Sequence, residues 1–419
     1  MLAGGWCACS SEDAHAPPPD EPPAPRPVTA RGLTEHLRAL DTIARENGGQ
    51  RATGTPGYDA SVRYVAARLR ESGWRVTLQQ VPLRVPSERS PARLSLASRD
   101  RLKPLTDFRV PTYSGAGGGR GSVSRVGSGC ARSDYGAVER GAVALADAGG
   151  CLIFEKARNA ARAGALALLA AGEWGPRGVP SATLVSPARL PVLLVGRRAE
   201  RALAEGSEVS LRVDTEVSRA TTQNVIADAG KGDRVAMAGA HVDSVPDGPG
   251  INDNASGVAT LLEAADALGA RPKGRVRLAF WGAEELGLVG SRHYVHALPR
   301  EKLRRIAAYI NLDMVGSPNA VPAIYSDGDR RLGRLLREAH PGRETGVAVE
   351  GASDHAPFAD SGIPVNGLYT GSSERGPGGR PRDPCYHLPC DTLANVARRV
   401  LLGMARAAVR ALREVEDEP

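Results

Sequence analysis

Three apolar runs in the second half of the chain each lead into a residue that can ligate a metal ion, and this constrains the fold more than any other feature. Residues 234–240 lead into His241, Val276, Leu278 and Phe280 alternate before Glu284, and residues 307–312 lead into Asp313. Between the first two runs, Val258, Leu261, Leu262 and Ala265 recur at helical spacing within residues 255–268. Strand, helix, strand is a βαβ unit. The expected fold is therefore α/β, a doubly wound and mostly parallel sheet whose strand ends open on a crevice that gathers side chains from several loops.

Six acidic and imidazole residues fall at or near such ends: His241 in Gly-Ala-His-Val-Asp-Ser, Asp253 in Ile-Asn-Asp-Asn-Ala-Ser-Gly, Glu284 and Glu285 in Trp-Gly-Ala-Glu-Glu-Leu-Gly, Asp313 in Ile-Asn-Leu-Asp-Met, and His387 in Cys-Tyr-His-Leu-Pro-Cys-Asp. Zinc accepts imidazole nitrogen and carboxylate oxygen, and a catalytic site keeps a position open for water. Two adjacent ions that share one carboxylate need about five protein ligands, so five of the six residues have places and Glu284 is left over. Because it directly precedes a ligand position, Glu284 can lie beside the reacting water without touching a metal, which is the place of a general base. The pattern reads as a metal-dependent hydrolase. Any one of these residues alone is an ordinary surface or packing residue; their order and their placement at strand ends carry the reading. His293, His296 and His340 lack that context and read as surface or packing residues, with His355, inside Ser-Asp-His, between the two cases.

On these motifs, the chain from about residue 29 to about residue 412 resembles the co-catalytic di-zinc aminopeptidases, the family of vacuolar aminopeptidase Y and bacterial leucyl aminopeptidases. The resemblance implies that His241 and Asp313 hold one zinc, that Glu285 and His387 hold the other, and that Asp253 bridges them, with a cis peptide from Asp253 to Asn254. It also implies that Glu284 takes a proton from water and passes it to the leaving amine, and that Tyr386 steadies the tetrahedral oxyanion. Asp243 is placed by it to orient the His241 imidazole, and Ser353 to support His387. The substrates implied are peptides with a free N-terminus. One departure stands out: several secreted bacterial relatives have Arg immediately before Ser-Asp-His, near the substrate amine, where this chain has Ala352.

The formal charge of +7 does not point to nucleic acid, because the basic residues are almost all Arg and are scattered among acids. No aromatic-and-basic cluster that would stack bases is present. No stretch is long enough to span a membrane, and no motif speaks to oligomeric state. Residues 1–28 have a different character, a small-residue stretch with Cys7 and Cys9 followed by a Pro-rich spacer. They read either as the end of a secretory signal that starts upstream or as a disordered leader. Cys7 and Cys9 are candidates for a lipid anchor, although neither Gly5-Trp6-Cys7 nor Cys7-Ala8-Cys9 forms a convincing lipidation box.

At 419 residues the chain exceeds one typical domain. After the spacer, Leu33, Leu37, Leu40 and Ile43 mark a helix from a Thr34 cap, Tyr58, Val62, Val65 and Leu69 mark a second, and Trp74, Val76 and Leu78 alternate as a strand. In the resembled family these elements belong to the peptidase domain, which is assigned residues 29–83 and 220–419. The insert, residues 84–219, is read as a strand over 141–148, a helix over 155–171 and strands over 192–195 and 209–213, and it resembles a β-rich α+β protease-associated domain. That resemblance rests on Gly-Ala-Val-Ala-Leu-Ala-Asp, on Gly-Gly-Cys-Leu-Ile-Phe-Glu-Lys-Ala-Arg-Asn-Ala and on Leu-Pro-Val-Leu-Leu-Val-Gly. No catalytic group is recognisable in it, and it either flanks the cleft or packs inertly.

Four cysteines remain, Cys130 and Cys151 in the insert and Cys385 and Cys390 around His387, and pairing by domain gives two disulfides. Disulfides place the protein outside the reducing cytosol, secreted or in the cell envelope. A Cys-Cys-His zinc site is the competing reading, but it would supply three ligands and take His387 from the main site. Asp391 is read as the cap of a final helix carrying Leu393, Val396, Val400 and Met404, and residues 370–384 as a mobile loop that shapes the specificity pocket. A carboxypeptidase, a glutaminyl cyclase or a non-catalytic receptor of the same fold are the alternatives. They would require, respectively, a clustered Arg site, a single zinc, or lost ligands.

Overall fold

A computed structural model of the chain describes residues 23–96, 102–174, 178–184, 186–339, 345–347, 352–376 and 378–416. The leader up to residue 22, with Cys7 and Cys9, and His340 lie outside the described residues. The peptidase part is an α/β sheet in the order Thr345–Val347, Ala323–Tyr325, Val365–Tyr369, Ile306–Leu312, Val235–His241, Arg275–Trp281, Glu208–Ala229. Its centre is parallel, and antiparallel pairings occur where Ala323–Tyr325 meets Val365–Tyr369 and where Glu208–Ala229 meets Arg275–Trp281.

The winding reverses at one place. From strand Val235–His241 the chain passes through helix Ala255–Leu268 to a neighbour on one side, Arg275–Trp281, and then to a neighbour on the other, Ile306–Leu312. Connections that leave a strand in opposite directions open a crevice at its carboxyl end. His241 and Asp313 sit at that crevice, on adjacent strands held in register by the pair Asn311↔Gly239.

Helices cover both faces. Ala30–Glu46, Pro56–Glu71, Ala255–Leu268 and Arg398–Glu416 bury Leu37, Val65, Leu261 and Met404 against one face, and Trp281, Tyr294, Tyr309 and Phe358 pack on the other. The first helix begins earlier than Thr34. Thr29 is its cap, accepting the Gly32 amide at 3.0 Å, while Thr34 Oγ1 donates to Ala30 O inside the helix. At the other end of the chain, Asp391 does not cap the final helix, which starts only at Arg398. Its carboxylate is engaged elsewhere.

Strands Arg75–Leu96 and Glu208–Ala229 form one antiparallel ribbon, in a single register from Arg75↔Asp228 to Glu88↔Thr215 and then shifted at two irregularities before Arg93↔Arg212. It carries the insert, in which Gly117–Arg125, Val143–Asp147, Ala167–Gly172 and Val192–Gly196 pair in parallel around a separate core of Leu145, Leu169 and Leu193. The helix expected over 155–171 is Ile153–Ala163. It stops at Gly164, whose φ of 80° is left-handed, and Ala167–Gly172 is a strand. A buried central strand shows no alternation, so its apolar run is indistinguishable in sequence from a buried helix.

Candidate metal centre

His241 stands at the end of a fully buried strand and is itself 1% exposed. Its Nε2 lies 3.2 Å from Asp253 Oδ1 and 3.3 Å from Asp313 Oδ1. Asp313 is braced by Ser353, whose hydroxyl donates to Asp313 Oδ2 at 2.6 Å and accepts from Asn311 Nδ2 at 2.9 Å. This corrects the expectation for Ser353: it leads into helix Ala356–Asp360 on the His241 side and supports Asp313, not His387.

Asp253 lies in the loop before helix Ala255–Leu268, and the Asp253–Asn254 peptide is cis. Two residues to which the sequence assigned no part in the centre hold this loop. Asp391 accepts the amides of Asn252 and Asp253, each at 2.9 Å. Arg51, fully buried, donates to Pro249 O at 2.9 Å, to Gly250 O at 2.7 Å and to Val242 O. A buried guanidinium satisfied by carbonyls braces backbone and adds positive charge behind the carboxylates.

The second oxygen of Asp253 faces the other way. His387 Nε2 lies 3.2 Å from Asp253 Oδ2 and 3.2 Å from Glu285 Oε2. His387 has a φ of 56°, rare for a residue with a side chain, in the short loop closed by the disulfide between Cys385 and Cys390. Its Nδ1 meets the carbonyl of Ser181, in the insert, at 2.8 Å, and the Ser181 amide donates to His387 O at 3.3 Å. Thr183 Oγ1 donates to Glu285 O at 2.6 Å. The insert thus touches two residues of the centre, and Arg109 locks it there, donating to Asp247 at 2.5 Å and to Ser181 Oγ at 2.6 Å. The inert-packing alternative for the insert does not describe these contacts.

Asp243 meets the His241 imidazole in two ways: its carboxylate lies 3.7 Å from Nδ1, and its main-chain carbonyl lies 3.1 Å from the same nitrogen. The carboxylate oxygens accept the amides of Glu284 and Glu285, each at 3.2 Å, and so fix the turn that presents both glutamates. Tyr386 stacks on His387 with ring centroids 3.8 Å apart.

Burial sets the protonation of this cluster. It pushes Glu284 well above the ordinary carboxylate range, with His241 opposing and Glu285 adding to the rise. Burial likewise raises Glu285, against the pull of His387. Both imidazoles are driven up despite burial, His241 chiefly by Glu284 and Asp313, His387 by Glu285 and Asp253. Burial holds the Tyr386 phenol well above its usual value, with Asp253 next in effect, so it stays a hydrogen-bond donor. Four carboxylates and two imidazoles this close call for shared positive charge, and protons supply it where a metal does not.

Their chemistry fits zinc. His241, Asp253 and Asp313 form one group, and Asp253, Glu285 and His387 another, each offering ligand atoms within 4.8 Å of one another. A third grouping, His241 with Glu284 and Glu285, is also this compact. Glu285 Oε1 is buried without a hydrogen-bond partner, an orphan atom that a cation would satisfy. Three nitrogen or oxygen donors per set leave a coordination position open.

A cavity of about 1210 Å³ opens in front of the cluster. Glu284, Tyr386, Ala352, Arg292, Arg382 and Glu374 are among its walls. The loop expected to be mobile is tied at several points: the Arg382 amide donates to Glu374 O and the Asp383 amide to Ser372 O, and Glu374 accepts from Tyr369 Oη at 3.1 Å and Ser372 Oγ at 2.7 Å.

A doubly wound sheet with buried His and carboxylate sets at its switch point defines a metallopeptidase-like hydrolase. Peptidase family M28 matches residues 224–412, and the PA domain matches residues 121–203. An aminopeptidase of Pseudomonas aeruginosa is 34% identical over 428 residues, covering 90% of this chain and 79% of that one. A probable lipoprotein aminopeptidase of Mycobacterium tuberculosis is 37% identical over 416 residues, covering 89% and 82%. Among solved structures, an aminopeptidase from an Aneurinibacillus species superposes with a TM-score of 0.75 at 27% identity, covering 92% of this chain and 94% of that one. A zinc aminopeptidase from Bacillus subtilis superposes with a TM-score of 0.75 at 26% identity, covering 94% and 96%. The chain belongs to peptidase family M28 and carries an inserted PA domain.

Proposed function

We propose that this M28 peptidase binds two zinc ions, one on His241, Asp253 and Asp313 and the other on Asp253, Glu285 and His387. The observation that carries this reading is the placement of Asp253, each of whose oxygens lies 3.2 Å from a different imidazole. The protein is a zinc-dependent exopeptidase of the aminopeptidase type. Zinc supplies Lewis-acid polarisation and activates water at neutral pH.

Glu284, raised by burial, takes a proton on its carboxylate and returns it to the departing amine nitrogen. The Tyr386 phenol donates a hydrogen bond to the developing oxyanion. Asp243 positions Glu284 through its amide, and Ser353 positions Asp313. Glu284 and Asp313 provide the negative charge that receives a cationic α-amino group, so unblocked peptides are shortened from the N-terminus. The division between peptidase domain and insert is proposed at the register pair Leu83↔Ala220, continuing into Arg84↔Arg219.

The two disulfides, Cys130–Cys151 and Cys385–Cys390, support a secreted or cell-envelope location. A lipid anchor near Cys7 or Cys9 is the finer reading, in keeping with the name of the Mycobacterium relative. No helix among the described residues is long and apolar enough to cross a membrane.

Mass spectrometry of a digested peptide tests substrate polarity. A ladder shortened from the N-terminus and abolished by N-acetylation is expected. Shortening from the carboxyl end, with Arg292 or Arg382 receiving the carboxylate, would replace the aminopeptidase reading with a carboxypeptidase one.

A further inference from the structure

Leu152 is 56% exposed and forms part of the cavity wall in front of the metal centre, although it belongs to the insert. A lone exposed leucine needs no explanation. What distinguishes this one is how its backbone is fixed. Cys151, its neighbour, is joined to Cys130. Lys156, one turn further on, is fully buried, and its ammonium donates to Gly149 O at 2.7 Å and to Ser128 O. Asn159 donates to Cys130 O at 2.9 Å. Leu152 itself is the residue from which helix Ile153–Ala163 starts, its carbonyl accepting the Glu155 amide at 2.9 Å. Burying an ammonium is costly unless its donors are met. A covalent bond, a satisfied buried cation and a helix start therefore all hold in place a turn whose exposed side chain is apolar.

We propose that Leu152 is a specificity-determining contact for the part of the peptide beyond the scissile bond, favouring apolar residues there. This rests on the aminopeptidase reading. An enzyme that removes the first residue must hold it against the reacting centre, beside the buried cavity-lining residues Met314, Tyr325 and Ser353, the last of which donates to Asp313. The rest of the peptide leaves by the mouth, and Leu152, being exposed, lies there. Thr183 extends the same wall and is bonded to the Glu285 carbonyl, which ties the insert's side of the cleft to the reacting centre. Leu152 therefore senses peptides that reach past the first residue more strongly than it senses a single aminoacyl group.

The test compares wild type with Leu152→Ser on three probes sharing one N-terminal residue: an aminoacyl 4-nitroanilide, a tripeptide with apolar second and third residues, and a tripeptide with polar ones. The ratio of kcat/KM for the apolar tripeptide to that for the anilide is expected to fall roughly three- to tenfold in the variant, through KM, and the preference for the apolar over the polar tripeptide to fall with it. Leu105→Ser, at a 42% exposed leucine of the insert that does not line the cavity, keeps both ratios. Unchanged ratios in Leu152→Ser, or an equal fall in Leu105→Ser, overturn the proposal. Wild-type enzyme that cleaves neither the anilide nor the free-amine peptides when loaded with zinc overturns the aminopeptidase reading itself, a failure visible before any variant is measured.

Discussion

The two imidazoles of the centre each face one oxygen of Asp253 but are supported in opposite ways. His241 ends a buried strand and finds a partner for Nδ1 two residues along its own chain, at the Asp243 carbonyl. His387 sits in a short disulfide-closed loop with left-handed backbone and finds its Nδ1 partner in the insert, at Ser181. One half of the site is thus a product of the sheet, while the other depends on a second domain being docked. A pair of ligand sets that are chemically equivalent need not be equally preorganised.

Asp253→Ala should have the largest effect and blur this difference, because the residue faces both imidazoles. We expect both ions to be lost in elemental analysis and turnover to fall by more than about a thousandfold, since groups that act as a unit fail together. Retention of one full ion would mean that the halves do not share this residue. Glu284→Gln comes next and leaves the comparison untouched: metal content stays the same while kcat drops by roughly two to four powers of ten. Metal loss in that variant would move Glu284 among the ligands, as the compact grouping of His241, Glu284 and Glu285 allows.

Asp247→Asn sharpens the comparison most directly. It weakens the Arg109 lock without touching the centre, and by analogy with outer-shell carboxylates it should lower affinity for the His387-side ion by about tenfold. Under graded chelation, bound metal should then settle near one ion per chain before reaching none. A simultaneous loss of both would show that docking of the insert supports the two halves equally.

The smallest effect is a stability term common to both. Burial, helped by the charge on Arg68, lowers His36 to about 4 from an ordinary value of 6.5. The folded state therefore binds fewer protons than the unfolded state between those values, so stability falls as pH drops through 6.5 and levels off near 4. The loss is of the order of 3 kcal/mol. Urea titrations at pH 7 and pH 4 should show a smaller pH-dependent loss in His36→Gln, and an identical loss would refute the assignment.

The asymmetry between the halves also explains what could be read from the sequence. Strand Val235–His241, helix Ala255–Leu268 and strand Ile306–Leu312 were legible because two apolar runs and one helical period each adjoin a ligand. The His387 ligand was legible from its motif, but its support was not. A main-chain carbonyl has no side-chain signature, and Ser181 lies 206 residues away. Asp391 and Ser353 were visible as residues and assigned to the wrong partners, because proximity in sequence to a helix or to a ligand says little about which loop a carboxylate or hydroxyl meets. Arg51 has no signature in the sequence, because its contacts with the Pro249 and Gly250 carbonyls arise only when the loops fold together.

The ribbon of Arg75–Leu96 and Glu208–Ala229 acts as a ruler between the two parts of the molecule. From Arg75↔Asp228 to Glu88↔Thr215 its two strands pair residue for residue, so a matched deletion of two residues from each within that stretch would leave pairing and facing intact. It would also draw the insert toward the sheet by about 7 Å, at roughly 3.3 Å per residue. That is more than twice the reach of a hydrogen bond. The number of rungs in the ribbon is therefore fixed by where a carbonyl of one domain must arrive on an imidazole of the other.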